Sequence, residues 1–217
     1  MEQQPISIGV DVGGTFTDII SFNVRTGELA VVKFPTSADP SAAVSKGLRK
    51  LGTEPEDVSL LSHATTMATN ALLTRSGLGH AALVTNEGFR DILEIGRQRR
   101  PELYDLRTRR PVPLVRRKDR FTVRCRITAG GRILEPIDGE GAVAVVKRII
   151  NRHFESVAVC FLNSCVNPVH ELAMGRRLVK EGFRGSISLS CEVDREFREY
   201  ERTSTTVVNA ALAPLMS

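Results

Sequence analysis

The sequence predicts an α/β protein in which an antiparallel three-strand meander precedes βα units in a mixed sheet. Near the N-terminus, two stretches of alternating apolar residues flank a Gly-Gly pair, and alternation is typical of strands with one buried face. The last third instead alternates helical periodicity with strands, and its continuous apolar run at 157–162 indicates a central parallel strand. The 217 residues, 41% hydrophobic and 25% charged, are typical of one large domain, 1–217, or of a domain plus a lobe.

The turn after the first strand is the main candidate site. The strand ends in Asp11, Gly13 and Gly14 break it, and a second strand begins near Thr15. Because glycine adopts conformations closed to other residues, such a turn can aim successive N–H groups at an anion, and the hydroxyls of Thr15 and Thr17 add donors. The pattern favours a phosphate-binding turn, although spacing alone is equally typical of a plain hairpin.

Two carboxylates accompany this turn. Asp11 and Asp18 could hold Mg²⁺ or its bound waters, because magnesium prefers oxygen ligands. The turn is neither a dinucleotide fingerprint nor a Walker A loop, since it lacks both G-x-G-x-x-G and G-K-[ST].

The meander continues with a third strand at 29–34 and a helix that Gly52 ends, and a short strand at 59–63 then precedes a helix at 67–76. Thr65 or Thr66 is predicted to cap this helix. A helix N-terminus with two hydroxyls, His63 and Asn70 nearby could equally bind an anion. Both interpretations stay open at this point, and a lone histidine is more often structural than catalytic.

An Arg-rich excursion from the main fold is predicted at about 97–135. Between Arg97 and Arg120 there are ten Lys or Arg against three acids, within a chain of net charge +5. A nucleic-acid surface would normally add aromatic residues for base stacking, and this stretch offers only Tyr104. A solvated or partner-facing loop is therefore the favoured interpretation.

The loop after the run at 157–162 is a second candidate region, because α/β folds place ligands at the carboxyl ends of central strands. Its polar residues are Asn163, Ser164, Cys165 and Asn167. A packed thiol is the favoured interpretation of Cys165. The chain then ends in a helix predicted to bury a face formed by Val208, Ala211, Leu212 and Leu215.

The composition bears on the cellular compartment and on whether the protein spans a membrane. No apolar run reaches the roughly 18 residues of a membrane helix, and the first residues do not read as a secretory signal. The four cysteines form no C-x-x-C pair and are expected to be reduced thiols. These features predict a cytoplasmic protein.

Four blocks of sequence resemble the hydantoinase/oxoprolinase family, N-terminal domain. They occur in the family's order over nearly the whole chain: residues 8–18, 63–72, 88–98 with 101–106, and 196–206. The resemblance covers this domain alone, and the larger hydantoinase A domain of the family is absent. The chain departs from the family at Ala64, Asn163, Cys165 and Cys191, where the family usually or often has other residues, two of them histidines.

The resemblance implies a ribonuclease H-like fold of actin/hexokinase type and ATP-dependent opening of a cyclic amide such as a hydantoin or 5-oxoproline. It implies ATP and Mg²⁺ as cofactors, and the missing hydantoinase A domain and a second, hydantoinase B-type subunit as partners. By this resemblance, phosphate is expected at Gly13, Gly14, Thr15, Phe16 and Thr17, the metal at Asp11 and Asp18, and catalysis or substrate contact at Asp11, His63, Thr65 and Thr66.

Other functions stay open. A non-catalytic nucleotide-binding or interaction module would keep the turn without turnover. A kinase or carboxylase subunit of the same superfamily would use the same turn for a different reaction. The leading hypothesis is the nucleotide-phosphate-binding lobe of an enzyme, inactive alone.

Overall fold

The computed structural model describes residues 6–36, 40–99, 102, 104, 105, 107, 108 and 111–216, without the side chains of residues 40–43. Residues 100, 101, 103, 106, 109 and 110 of the predicted Arg-rich excursion therefore lie outside the described residues. Contacts divide the chain into two compact units, unit 1 at 1–76 and unit 2 at 77–217.

Unit 1 contains a four-stranded mixed sheet in the order β3-β2-β1-β4. The predicted meander is present, because β1 pairs antiparallel with β2 and β2 pairs antiparallel with β3. β4 joins the other edge of β1 in parallel, a pairing that needs a crossover connection such as the one that contains α1. The elements are β1 Ile6–Val12, β2 Phe16–Asn23, β3 Leu29–Pro35, α1 Pro40–Leu51, β4 Val58–Thr65 and α2 Met67–Thr74.

One face of this sheet packs against α1. Its buried side chains are Ile8, Val10, Val12, Ile19 and Phe34, and Val44, Leu48 and Leu51 of α1 pack on them. By strand alternation and pairing register, the opposite face carries Asp11 of β1, Asp18 and Ile20 of β2, and Val31 and Lys33 of β3. We call this surface the open face. Its apolar members include Phe16, Ile20, Phe22 and Val31, which are 41–59% exposed.

Unit 2 contains a four-stranded parallel sheet in the order β10-β9-β5-β6. β5 and β9 are buried at every position, which explains the continuous apolar run in the sequence. The strands are β5 Ala81–Asn86, β6 Arg120–Val123, β7 Arg126–Ile127, β8 Ile133–Glu135, β9 Ser156–Cys160 and β10 Ser186–Leu189. The helices are α3 Ile92–Ile95, α4 Gly139–Asn151, α5 Val169–Lys180, α6 Ser190–Val193 and α7 Glu199–Leu212.

Two sequence expectations differ from the structure of unit 2. The strand expected around 119–128 is divided into β6 and β7. Its partner β5 ends at Asn86, opposite Val123, and the Asn86 side-chain amide donates to the Cys125 carbonyl at 2.6 Å. The second difference concerns α7, whose buried face shares only Ala211 with the prediction and is formed by Arg202, Thr203, Thr206, Val207, Ala210 and Ala211. None of the helices in the described ranges is long and apolar enough to cross a membrane.

Candidate functional site

Three hydrogen bonds hold the β1–β2 turn in shape, one within the turn and two from Thr36. The Gly13 N–H donates to the Phe16 carbonyl at 3.0 Å, and the Thr36 N–H donates to the Thr15 carbonyl at 2.9 Å. The Thr36 hydroxyl donates to the Gly13 carbonyl at 2.9 Å. A Cβ at Gly13 would lie 2.9 Å from the Phe16 carbonyl oxygen, so this tight turn requires glycine there.

Gly14 brings the turn against the first turn of α2. A Cβ at Gly14 would lie 2.7 Å from the side-chain nitrogen of Asn70, a separation that real Cβ atoms essentially never show. The Asn70 amide in turn donates to the Thr66 hydroxyl at 3.2 Å. The glycine therefore permits a close approach between the strand turn and the helix N-terminus.

The two segments that meet here both present free donors. The backbone N–H groups of Gly14 and Thr15 have no hydrogen-bond partner among the described residues. The same holds, within the described ranges, for the N–H groups of Ala68 and Thr69 in the first turn of α2, whereas that of Met67 donates to Thr65. A helix N-terminus also carries partial positive charge. The arrangement suits an anion such as phosphate.

Asp11 is the carboxylate beside this donor set. It is exposed on the open face, and its side chain makes no hydrogen bond or ion pair with any described residue. Asp18 lies directly opposite it on β2, and Lys33 lies opposite Asp18 on β3. Both Asp18 oxygens accept from Lys33 Nζ at 2.9 Å. Mg²⁺ typically takes one or two protein carboxylates plus phosphate oxygens and water, and the free Asp11 fits this role.

Three of the residues expected at the site make other contacts. Thr17 is fully buried, and its hydroxyl bonds to that of Thr36 at 3.0 Å. The Thr65 hydroxyl donates to the Val12 carbonyl at 3.2 Å. His63 pairs with Val10 in the parallel register, and its side chain therefore lies on the sheet face opposite the Asp11 side chain. The structure thus brings together Asp11, Gly13, Gly14, Thr15 and Thr66, with Phe16 at 46% exposure beside them.

Sequence reasoning missed Thr36 and Lys33. Lys33 lies within β3 and Thr36 directly follows this strand, which the meander places beside the turn. The antiparallel pattern could have found Lys33, because it predicts a β3 residue opposite Asp18.

In the second candidate region, the loop after β9, the side chains of Asn163, Ser164 and Asn167 already have hydrogen-bond partners within the protein. The Asn163 amide donates to the Ile127 carbonyl at 2.8 Å, and the Asn167 amide donates to the Gly131 carbonyl at 2.8 Å. Ser164 Oγ lies 3.1 Å from Ser190 Oγ. The Asn163 backbone is left-handed, with φ of 58°, a conformation that asparagine tolerates better than most residues.

Glu171 of α5 anchors this region from beneath. It is fully buried and accepts from the Phe161 N–H at 2.7 Å, the Ser190 hydroxyl at 2.6 Å and the Cys191 N–H at 2.8 Å. Buried Arg202 donates to the Phe161 carbonyl at 2.7 Å. Burial, together with the negative charge of Glu171, raises the pKa of the Cys191 thiol to about 12, so this thiol stays protonated near neutral pH.

Arg97, Arg117, Arg120 and Arg124 of the excursion bind carboxylates of unit 2. Arg120 is buried, pairs with Glu94 and donates to the carbonyls of Val115 and Arg90. Arg117 makes two hydrogen bonds to Asp91, which lower the pKa of that carboxyl. These ion pairs favour an internal structural role for this part of the excursion over a nucleic-acid surface.

Comparison with known proteins places this geometry in context. Residues 7–182 match the family model described as the hydantoinase/oxoprolinase N-terminal region. An uncharacterised protein of Methanocaldococcus jannaschii is 41% identical over 214 residues, covering 97% of this chain and 31% of that protein. Caprolactamase subunit alpha of Pseudomonas jessenii is 34% identical over 230 residues, covering 100% of this chain and 32% of the subunit.

Two solved structures have the same fold. The ATP-dependent caprolactamase of Pseudomonas jessenii superposes with a TM-score of 0.86 at 31% identity, covering 97% of this chain and 32% of that one. Nucleotide-free acetone carboxylase superposes with a TM-score of 0.85 at 22% identity and the same coverage. The predicted α/β fold of the actin/hexokinase type is confirmed. The chain spans about a third of the length of these relatives.

Proposed function

The chain belongs to the hydantoinase/oxoprolinase N-terminal family, and we propose that it is the phosphate-binding lobe of an ATP-dependent enzyme that opens cyclic amides. One observation carries the proposal: the free N–H groups of Gly14 and Thr15 meet the N-terminus of α2 beside the unpaired carboxylate of Asp11. Relatives described as ATP-dependent caprolactamase and caprolactamase subunit alpha support the reaction class, because caprolactam is itself a cyclic amide.

In this proposal the residues have separate roles. Gly14 and Thr15 donate backbone N–H groups to the terminal phosphates, and the first turn of α2 adds its own donors and positive potential. Gly13 shapes the turn through its bond to Phe16, and Thr17 supports it from the buried side through Thr36. These donors are fixed before the ligand arrives, so they stabilise developing charge without reorganising.

Asp11 would hold Mg²⁺ or its waters, and Asp18 would be the weaker candidate because Lys33 already pairs with it. When bound, Mg·ATP would supply a phosphoryl group that activates the ring carbonyl oxygen for attack by water on the carbon; the ring C–N bond would then break with the nitrogen leaving as the amine, and hydrolysis of the resulting acyl phosphate would release phosphate. This chain's own residues hold the phosphates in line and balance their charge.

For the substrate side, Thr66 has the best position among the predicted residues, because its hydroxyl contacts Asn70 next to Gly14. Substrate contact by Thr65 or His63 remains a proposal, and it would require the substrate to reach the opposite face of β4. The enzyme would need further parts: the relatives are about three times longer, and two of them are described as subunits, alpha and gamma. We propose a hydantoinase A domain and a hydantoinase B-type subunit as those parts.

A carboxylase lobe is the second candidate function. The acetophenone carboxylase gamma subunit of Aromatoleum aromaticum is 32% identical over 229 residues, which supports this alternative. Assembled with its partners, an amidase would release phosphate with a ring-opened product, whereas a carboxylase would release it only when bicarbonate and a ketone are present.

Titration calorimetry of this chain with Mg·ATP tests the phosphate site. The test variants are Gly14→Val and Asp11→Asn, and their matched controls are Gly9→Val, since a Cβ at Gly9 meets nothing within 4 Å, and the exposed Asp57→Asn. We expect both test variants to lose at least tenfold in affinity and both controls to bind normally. Equal binding by all five proteins would exclude the turn as the phosphate site.

A further inference from the structure

Lys33 lies where a phosphate bound at the turn would need a cation. It closes a cross-strand row of three charged residues on the open face, in the order Asp11, Asp18, Lys33. Its ammonium also lies 5.3 Å from the centre of the Phe16 ring, and Phe16 directly follows the free N–H group of Thr15. Two independent contacts therefore hold this cation over the start of β2, the strand that directly follows the donor set.

The charges of the row show what is missing for phosphate binding. Two carboxylates facing a polyphosphate would repel it, and Mg²⁺ at Asp11 offsets only part of that repulsion. Facing residues on neighbouring antiparallel strands have Cα atoms about 5 Å apart, so Lys33 and Asp11 are separated by roughly 10 Å. A phosphate chain bound at Asp11 through Mg²⁺ would lie between them, within reach of a flexible four-carbon side chain.

The Lys33–Asp18 ion pair is weak enough for Lys33 to exchange the Asp18 carboxylate for a phosphate. The side chains of the two residues are 58% and 38% exposed, and exposed ion pairs contribute little to stability. Exchanging a carboxylate for a more highly charged phosphate would therefore cost little and gain charge-assisted hydrogen bonds.

Building on the proposed function, we propose that Lys33 leaves Asp18 when nucleotide binds and contacts the terminal phosphates directly. Asp18 then acts as the resting partner that holds the lysine on the open face, and Asp11 remains the carboxylate for the metal.

The test measures binding of Mg·tripolyphosphate and Mg·ATP to this chain by calorimetry, at two salt concentrations. The variants are Lys33→Met, Asp18→Asn and the double variant. Lys46→Met is the matched control, because Lys46 also lies over a phenylalanine ring, that of Phe34, whose side chain is on the opposite face of the sheet. Thermal melting of each variant checks that it is folded.

A direct contact predicts at least a tenfold loss for Lys33→Met, a smaller dependence of its affinity on salt, and an unchanged melting temperature. Asp18→Asn should bind as tightly as the wild type or more tightly, and the double variant should remain as weak as Lys33→Met. Wild-type affinity in the double variant would overturn the contact, since Lys33 would then serve only to neutralise Asp18.

Normal binding by Lys33→Met, with loss only in Gly14→Val, would overturn the Lys33 assignment and leave the proposed function intact. Absence of binding by the folded wild type would overturn both.

Discussion

The β1–β2 turn of unit 1 and the loop after β9 in unit 2 both follow a strand end and both carry polar residues, yet they differ in where their hydrogen bonds go. At the turn, the N–H groups of Gly14 and Thr15 and the carboxylate of Asp11 have no partner among the described residues. In the loop, by contrast, the N–H groups of Phe161 and Leu162 are bound to Glu171 and Asn86.

The difference shows that a polar strand end alone does not mark a binding site. Buried backbone groups must find partners, and a loop whose N–H groups are bound by side chains of the neighbouring α5 and β5 is built for stability. Groups left free next to a helix N-terminus are instead available to a ligand. This difference supports the proposal that ligand binding belongs to the turn of unit 1, with a structural role for the loop of unit 2, and four predictions test it.

The largest expected effect is on the stability of unit 2. Arg120→Met removes a buried guanidinium and leaves the Val115 and Arg90 carbonyls without their donor. The Glu94 carboxylate left behind is 43% exposed and stays hydrated, so the main cost is about 1–3 kcal/mol of unfolding free energy for each carbonyl that loses its donor. Tyrosine fluorescence during urea unfolding measures it, because both tyrosines of the chain, Tyr104 and Tyr200, lie in unit 2 and there is no tryptophan. The exposed Arg116→Met is the control, and an equal loss in both variants would contradict a special role for Arg120.

Glu171→Gln probes the anchor beneath the loop. The amide keeps one acceptor oxygen but places an N–H group against the Phe161 N–H or the Cys191 N–H, neither of which can accept a hydrogen bond. We expect a loss of about 1–3 kcal/mol with no change in Mg·ATP affinity. Glu192→Gln, at an exposed neighbour on α6, should change neither quantity. If Glu171→Gln is fully stable yet loses affinity, the assignment of the two regions is reversed.

Thr36→Val tests the support of the turn. Valine removes the hydroxyl that links buried Thr17 to the Gly13 carbonyl, so both groups lose a partner. The expected cost to unit 1 is about 1 kcal/mol, read from amide exchange of the strands, with a several-fold loss of Mg·ATP affinity. Thr36→Ser keeps the hydroxyl and should behave like the wild type. An intact affinity in Thr36→Val would show that the turn holds its shape without this bridge.

The smallest effect concerns thiol chemistry in the loop of unit 2. The pKa of Cys191 is raised to about 12, so at pH 8 only about one thiol in 10⁴ is ionised and able to attack a disulfide reagent. Burial likewise raises the pKa values of Cys125 and Cys160. Partly exposed Cys165 should therefore react first with a thiol reagent, and Cys165→Ser should abolish the fast phase. If the fast phase is lost in Cys191→Ser instead, the assignment of the reactive thiol to Cys165 is wrong.

Much of this fold follows from local patterns in the sequence. The meander is predictable because β1, β2 and β3 alternate and pair with their neighbours through short turns. The buried strand β9 follows from its unbroken apolar run, and the Gly-Gly turn marks the place where the free donors lie. These features depend on residues that are close together in the chain.

The rest depends on pairings between distant residues. The register that pairs Val10 with His63 decides that the histidine and Asp11 lie on opposite faces, and a shift of one residue would reverse that outcome. The face of α7 was predicted from apolar periodicity alone, but Thr203 and Thr206 can be buried because their hydroxyls bond to Cys160 Sγ and to the Arg202 carbonyl. Such local satisfaction of polar groups is invisible to a hydrophobic pattern.

Unit 1 is formed by one continuous segment of the chain, and this affects how the protein can fold during synthesis. Every strand that pairs with β1 lies before residue 66, and the chain passes into unit 2 at Gly77. Since ribosomes add roughly 5–20 residues per second and N-terminal units generally fold first, the sheet of unit 1 has several seconds to form before unit 2 is complete. The turn and the helix N-terminus that meet at Gly14 both lie in this early segment, so the proposed phosphate site can be assembled on the nascent chain.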